Sequence, residues 1–268
     1  MPRSFRDRSA VALVLSAALL VPLSVGSAFA ASCPTVADPQ ALASTAYPGQ
    51  AEVEEATAAG LSLTYTENPL FAADLAAGKL QPVATRLPEQ PLVILPYEEC
   101  GKYGGTLEGT SRAPTSGTSD VLSWRQAVLV RIGDDLKTIV PNVARSWTWN
   151  DDYSKVTFEL RKGHKWSDGQ PFTAADVVLF FEDIIQNKDL SAETTTEWGL
   201  NPHATAIDDT NVEITLDAPF PGLLTYMATS GSYFSTFAPR HFFEKFLPKY
   251  NPNANEDAKA AGFEDWTK

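Results

Sequence analysis

Apolar and polar residues alternate most cleanly between positions 146 and 161. Trp147 and Trp149 are interleaved with Ser146 and Thr148, and Val156, Phe158 and Leu160 with Thr157, Glu159 and Arg161. Asn150, Asp151 and Asp152 between the two runs supply turn chemistry, so the pattern predicts an antiparallel hairpin with one face buried and one wet. A second hairpin is predicted near 204–217, where Val212, Ile214 and Leu216 alternate with polar neighbours after the turn Asp208-Asp209-Thr210-Asn211. Between the hairpins the period changes to that of a helix. After a turn at 162–169, Thr173 is placed as N-cap, Asp176 completes an acidic capping box, and Phe172 with Val177 forms a hydrophobic staple. Val177, Phe181, Ile184 and Ile185 recur at helical spacing, with Glu182 and Asp183 turned elsewhere. Beyond Pro219 and Pro221, the stretches 223–227 and 233–246 predict two short helices.

The first thirty positions follow a different rule. Arg3, Arg6 and Arg8 precede an apolar run from Ala10 to Val21, and Ala28-Phe29-Ala30 is a small-x-small cleavage pattern, so 1–30 reads as a secretory signal. The run is too short for a comfortable membrane anchor. The sequence has two cysteines. Cys33 lies just past the expected cut rather than at it, and Ala30 stands where a lipoprotein usually has Leu, which disfavours lipid anchoring. Export permits a Cys33–Cys100 disulfide, whose loop of about seventy residues stabilises by roughly 4 kcal/mol in the chain-entropy view. Two free thiols are the alternative.

From 31 to 101 the chain is rich in Ala, Pro, Glu and Thr. Helix-like patches at 50–60 and 69–78 alternate with breaks at Pro82, Pro88, Pro91 and Pro96, the texture of an extension or arm laid on a larger body. Lys102 opens a new section: a glycine turn, Tyr103-Gly104-Gly105, enters a short strand. A small-residue polar loop follows at 109–120, suited either to ligand contact or to a solvated connection.

Composition narrows the function. With 44% hydrophobic and 20% charged residues the chain is neither disordered, collagenous nor a multi-span membrane protein. Its formal charge is -12, and loss of Arg3, Arg6, Arg8 and Asp7 with the signal takes it to -14, a poor match for nucleic acid or an anionic membrane. The three histidines, His164, His203 and His241, are scattered and sit in no zinc-binding spacing. No nucleophile elbow, phosphate loop or dinucleotide fingerprint is present. The pairs Asp151-Asp152 and Asp208-Asp209 read as turn residues rather than catalytic carboxylates. No catalytic residue, metal site or cofactor is expected.

In order along the chain, several stretches resemble one family. Lys102-Tyr103-Gly104-Gly105-Thr106-Leu107 looks like its first strand. Ile139 to Trp147 resembles its P-x-L-A-E-S-W text, and Tyr153 to Asp176 is similar to its Y-T-F-x-L-R-K-G-V-K-W-x-D-G-x-P-F-T-A-x-D-V signature almost throughout. Residues 206–216 and 239–245 match later segments. The family is that of the solute-binding proteins of ABC importers, family 5, which take up peptides and, in some members, nickel, opines or oligosaccharides. His164 and Arg145 depart from its pattern, where a small apolar residue and Glu are common; both border the first hairpin and are expected to be surface variation. The arm resembles an extension found in a subset of long members.

The resemblance implies an α/β fold of mixed α+β content, of the periplasmic-binding-protein type II-like bilobal kind, with the first lobe split into two subdomains. Residues 102–113 and about 209–268 are expected in the first subdomain and about 114–208 in the inserted one. It implies binding of a small solute, a peptide in the first instance, outside the cytoplasmic membrane, hinge closure, and delivery to an ABC permease by a monomer, with no covalent step and no nucleic-acid partner. Peptides are held, on this view, through backbone hydrogen bonds beside water-filled side-chain pockets. Arg112, Thr118, Trp124 and Tyr233 are the expected cleft-lining residues. The text at 263–268 resembles that just before the crossing to the second lobe. The expectation is therefore a fragment that lacks that lobe, binds weakly or not at all, and exposes apolar surface. An exported surface interaction module and an exported hydrolase with an undisplayed site remain as alternative readings.

Overall fold

The computed structural model describes residues 47, 49–62, 64–95, 101–106, 108, 127–190, 201–230 and 236–268, all within the compact unit Ala31–Lys268. The predicted signal, Cys33, Cys100 and the loop 109–120 lie outside the described residues.

In chain order the elements are β1 (Gln50–Ala51), α1 (Val53–Ala58), a 3-10 turn (Pro69–Phe71) running into α2 (Ala72–Ala76), α3 (Val83–Arg86) and β2 (Val93–Ile94). Then come β3 (Val130–Ile132), β4 (Ile139–Pro141), β5 (Ala144–Trp149), β6 (Lys155–Leu160) and α4 (Ala174–Val178), which continues as a π-helix (Leu179–Ile185). After these follow β7 (His203–Ala206), β8 (Asn211–Thr215), α5 (Leu223–Ser230), α6 (Arg240–Phe243) with a 3-10 turn (Glu244–Phe246), and α7 (Ala254–Ala260). The strands pair as two ribbons, β1–β2 and β3–β4, and one antiparallel sheet in the order β5-β6-β8-β7.

Both predicted hairpins are present, and their alternation sets the register. Trp147 faces Phe158 and Trp149 faces Val156 across β5–β6, while Phe158 and Val156 face Val212 and Ile214 across β6–β8. This places Val156, Phe158, Leu160, Val212 and Ile214 on one buried face. The helix α4 with its π extension covers that face through Val177, Leu179, Phe181 and Ile185, and Leu129, Val130, Leu223 and Met227 complete the same core. The aspartates of the turns are structural: Asp208 accepts from the backbone of Thr210 (2.7 Å) and Asn211 (2.8 Å). The Thr210 N–H foremost, then Asn211, hold its carboxyl down to about 2. Asp152 accepts from the Ser154 hydroxyl and N–H in the same manner, at 2.6 and 3.0 Å.

The helix begins where its local signals place it. Asp176 Oδ2 accepts from the Thr173 N–H at 2.7 Å, and the Ala174 N–H reaches the Asp209 carbonyl at 2.9 Å, tying the helix start to the second hairpin. Its continuation departs from α spacing: the Gln186 N–H bonds to Phe181 O, five residues back, at 3.0 Å. The wider turn rotates Asp183 inward, where it is 5% exposed, so the expectation that it faces away from the core is corrected.

Other expectations are also corrected. Gln50–Ala51, read as the start of a helical patch, is a strand paired with Val93–Ile94. Gly104 and Gly105 adopt φ of 104° and 82°, as a glycine turn requires, and the strand expected after them runs into residues outside the described ones. Arg145 and His164 are not free surface positions. Arg145 is the extra residue at a register shift between Ala144 and Ser146, and its guanidinium reaches both Glu54 oxygens at 3.2 Å. His164 packs edge-on to Phe172, with ring centroids 6.0 Å apart, and its Nε2 is buried without a hydrogen-bond partner.

Burial, with the Arg161 charge second, pushes the His164 imidazole below its usual value, so the folded protein keeps it neutral. The unfolded chain protonates first as pH falls below about 6.5, and stability is lost through that window down to the folded value. His164→Val removes this penalty. Urea unfolding midpoints measured from about pH 7 down to pH 5 are expected to fall less in the variant than in the natural chain; parallel curves would refute this.

Candidate functional site

The expected cleft residues Arg112, Thr118, Trp124 and Tyr233 all lie outside the described residues. After the first three the described chain begins again at 127, and after Tyr233 it resumes at 236. The chain enters the core at Leu129 and Val130, both fully buried, where the Leu129 carbonyl accepts from the N–H groups of Asn142 and Ala144 at 3.2 and 3.0 Å. Against this ribbon packs α5, through Leu223 and Met227. After α5 the described chain resumes at Thr236, fully buried with its hydroxyl unpaired, and the Ala238 N–H donates to the Asp176 carbonyl at 3.1 Å.

Asp176 is more than a cap. Besides the Thr173 N–H, its carboxylate accepts the Arg240 N–H at 2.8 Å, so one side chain that is 2% exposed fixes the starts of both α4 and α6. The sequence signalled the first bond and not the second. The inward Asp183 accepts from Lys249 Nζ at 2.5 Å and from the Tyr250 hydroxyl at 2.6 Å, a group that periodicity missed altogether. It borders a polar cavity of about 570 Å³ that also takes in Glu182, Asp189 and Trp266. Next to it, sharing Leu247 and Trp266, runs an apolar groove of about 650 Å³ whose walls include Ile184, Phe246 and Phe263. On the 3-10 turn that follows α6, Lys245 Nζ lies 4.4 and 4.8 Å from the ring centres of Phe242 and Phe246.

Two histidines meet carboxylates. His241 Nε2 lies 2.7 Å from Asp168 Oδ2, and His203 Nδ1 lies 3.1 Å from Glu182 Oε1. Among the described residues neither ring is bonded to a serine or cysteine, the arrangement nucleophilic catalysis needs. Among them, too, no three His, Cys, Asp or Glu side chains are grouped to hold a metal, and no helix is long and apolar enough to cross a membrane. The Glu182 carboxylate also accepts the Ala204 N–H at 2.7 Å, which occupies a donor on the edge strand β7.

Residues 138–265 match the family model described as bacterial extracellular solute-binding proteins, family 5 Middle. The match begins just before β4 and takes in the whole four-stranded sheet, the capped helix and α5 to α7. The chain is 31% identical over 197 residues to the periplasmic alpha-galactoside-binding protein of Rhizobium meliloti, a match covering 65% of this chain and 28% of that protein. Among solved structures, the oligopeptide-binding protein OppA aligns with a TM-score of 0.68 at 32% identity, over 80% of this chain and 34% of that one. The periplasmic binding protein MelB of Agrobacterium fabrum C58, solved in complex with stachyose, aligns with a TM-score of 0.52 at 29% identity, over 75% of this chain and 33% of that one. The chain thus spans about a third of the length of the proteins it is similar to. Through the sheet and helices of 138–265, the chain is similar to the bacterial extracellular solute-binding proteins of family 5.

Proposed function

We propose that the protein is the extracytoplasmic solute-binding component of an ABC-type importer and that it takes a peptide. The observation that carries this is the stretch 153–176: it folds as a hairpin strand, turn and capped helix, inside a chain that aligns over 80% of its length with an oligopeptide-binding protein. In this reading 1–30 is the export signal, 31–101 an extension, and 102–268 the solute-binding body, corresponding to the first lobe of a bilobal protein. Arg112, Thr118, Trp124 and Tyr233 line the cleft on that lobe. The protein works as a monomer, hands its solute to a membrane permease, and performs no covalent chemistry. Contacts that a solute makes with both lobes favour the closed form, and hinge closure follows from that difference in affinity.

An oligosaccharide is the second reading, favoured by the similarity to an alpha-galactoside-binding protein and to MelB with stachyose. Peptide and sugar separate in one titration: saturable binding of tripeptides supports the proposal, and binding of stachyose alone replaces it with the second reading.

A further inference from the structure

We infer that the segment 47–95 is a strap that locks the β3–β4 ribbon to the β5–β6 hairpin, with the buried Arg161 guanidinium as its latch. Arg161 follows β6 directly, and its side chain is 1% exposed. Among the described residues the body offers it one acceptor, the Asn142 carbonyl, at 2.7 Å from Nε. The segment 47–95 offers the rest: Glu52 accepts from Nη1 and Nη2 at 2.5 and 2.7 Å in a two-pronged pair, and the Gln90 carbonyl lies 3.5 Å from Nη1. A guanidinium does not shed its proton inside a protein, and a buried charge without a partner is strongly unfavourable. Arg161 therefore holds this position only with Glu52 seated beside it.

The other contacts of the segment fall on different parts of the body. Gln50, 1% exposed, donates to the Pro141 carbonyl of β4 at 3.1 Å and accepts from Arg131 of β3 at 2.8 Å, so one side chain grips both strands of the ribbon. Glu54 pairs with Arg145 of β5, and its carboxylate also accepts from Gln90, at 2.8 Å. The Glu89 N–H reaches the Lys162 carbonyl at 2.9 Å, and Lys165 Nζ reaches the Thr85 carbonyl at 2.6 Å, both on the turn after β6. At that turn Gly163, with φ +81°, lies so close that a Cβ would stand 2.6 Å from Glu89 N. A small interior of the segment's own, Ala51, Ala56, Ala59 and Leu61 against Val93 and Leu95, keeps its two ends together. The ribbon and the four-stranded sheet are separate ladders that meet at the corner 142–144 and share one core; the strap adds a further tie between them.

The test is amide hydrogen exchange followed by mass spectrometry on the whole protein. In Glu52→Ala, peptides from the strap and from 128–141 are expected to exchange at least about tenfold faster, while β6 and β8 keep their protection. Gly163→Val, which drives a side chain into Glu89 at the far end, is expected to give the same pattern. Glu54→Ala, whose side chain is 50% exposed, is expected to stay near the natural chain. Glu52→Gln, milder than the alanine, reads the same regions if that variant fails to accumulate. Unchanged exchange in 128–141 when the strap is released, or equal acceleration in β6 and β8, would overturn the inference.

Discussion

Phe158→Ala is expected to lower the stability of the folded protein by about 3–5 kcal/mol, a large fraction of the 5–15 typical of a domain. Phe158 is fully buried on β6, the strand flanked by both β5 and β8. It faces Trp147 on one side and Val212 on the other. The ring is thus held between two cross-strand neighbours and under the capped helix, and the backbone around it is committed on both edges, so the site has little freedom to collapse. Urea unfolding of the purified protein measures the effect as a lower midpoint with an unchanged slope. A loss below about 1 kcal/mol would mean that β6 is not the centre of the core. Thr157→Ala, on the opposite and more exposed side of the same strand, is the matching control.

Asp176→Ala is expected to cost about 2–4 kcal/mol, the sum of a lost helix cap and a part-buried N–H left without its acceptor. Its two carboxylate oxygens serve two donors, the Thr173 N–H on Oδ2 and the Arg240 N–H on Oδ1. Removing the side chain takes the acceptor from both of these part-buried N–H groups. Asp176→Asn retains one acceptor oxygen and is expected to recover part of the loss. A cost for Asp176→Ala no greater than that of an ordinary surface cap, about 1 kcal/mol, would show that the bond to Arg240 contributes nothing. The comparison separates the local role of this residue from its tertiary one.

That separation runs through the whole molecule. The hairpins at 144–160 and 203–215 and the start of α4 were legible because their signals are local: alternation, turn aspartates, a cap and a staple within a few residues. Asp183 was not, because helical spacing assumes 3.6 residues per turn, and the π-helix through Leu179–Ile185 changes which side chains face inward. Arg161 was not legible either. Alternation puts it with Thr157 and Glu159 on the polar face, and its burial depends on Glu52, 109 positions away. Arg145 was misread for the same reason, since Glu54 comes from the segment 47–95, and His164 because the turn after β6 folds Phe172 back onto it, which alternation does not display. Of the site itself, the family was legible from one long signature. The cleft residues rested on resemblance alone, and Arg112, Thr118, Trp124 and Tyr233 lie outside the described residues.

The proposed function is binding of a solute that leaves it unchanged. The most direct measurement is a calorimetric titration of the mature two-lobed protein of the proposal, with both lobes present, using an equimolar tripeptide mixture and separately stachyose, followed by mass analysis of the recovered probe. Saturable heat with the tripeptides is predicted, with the peptides recovered intact, and a hundredfold excess of ligand over its Kd is expected to stabilise the fold by about 2.7 kcal/mol. No saturable heat with either probe, or peptides recovered in cleaved form, would contradict the account.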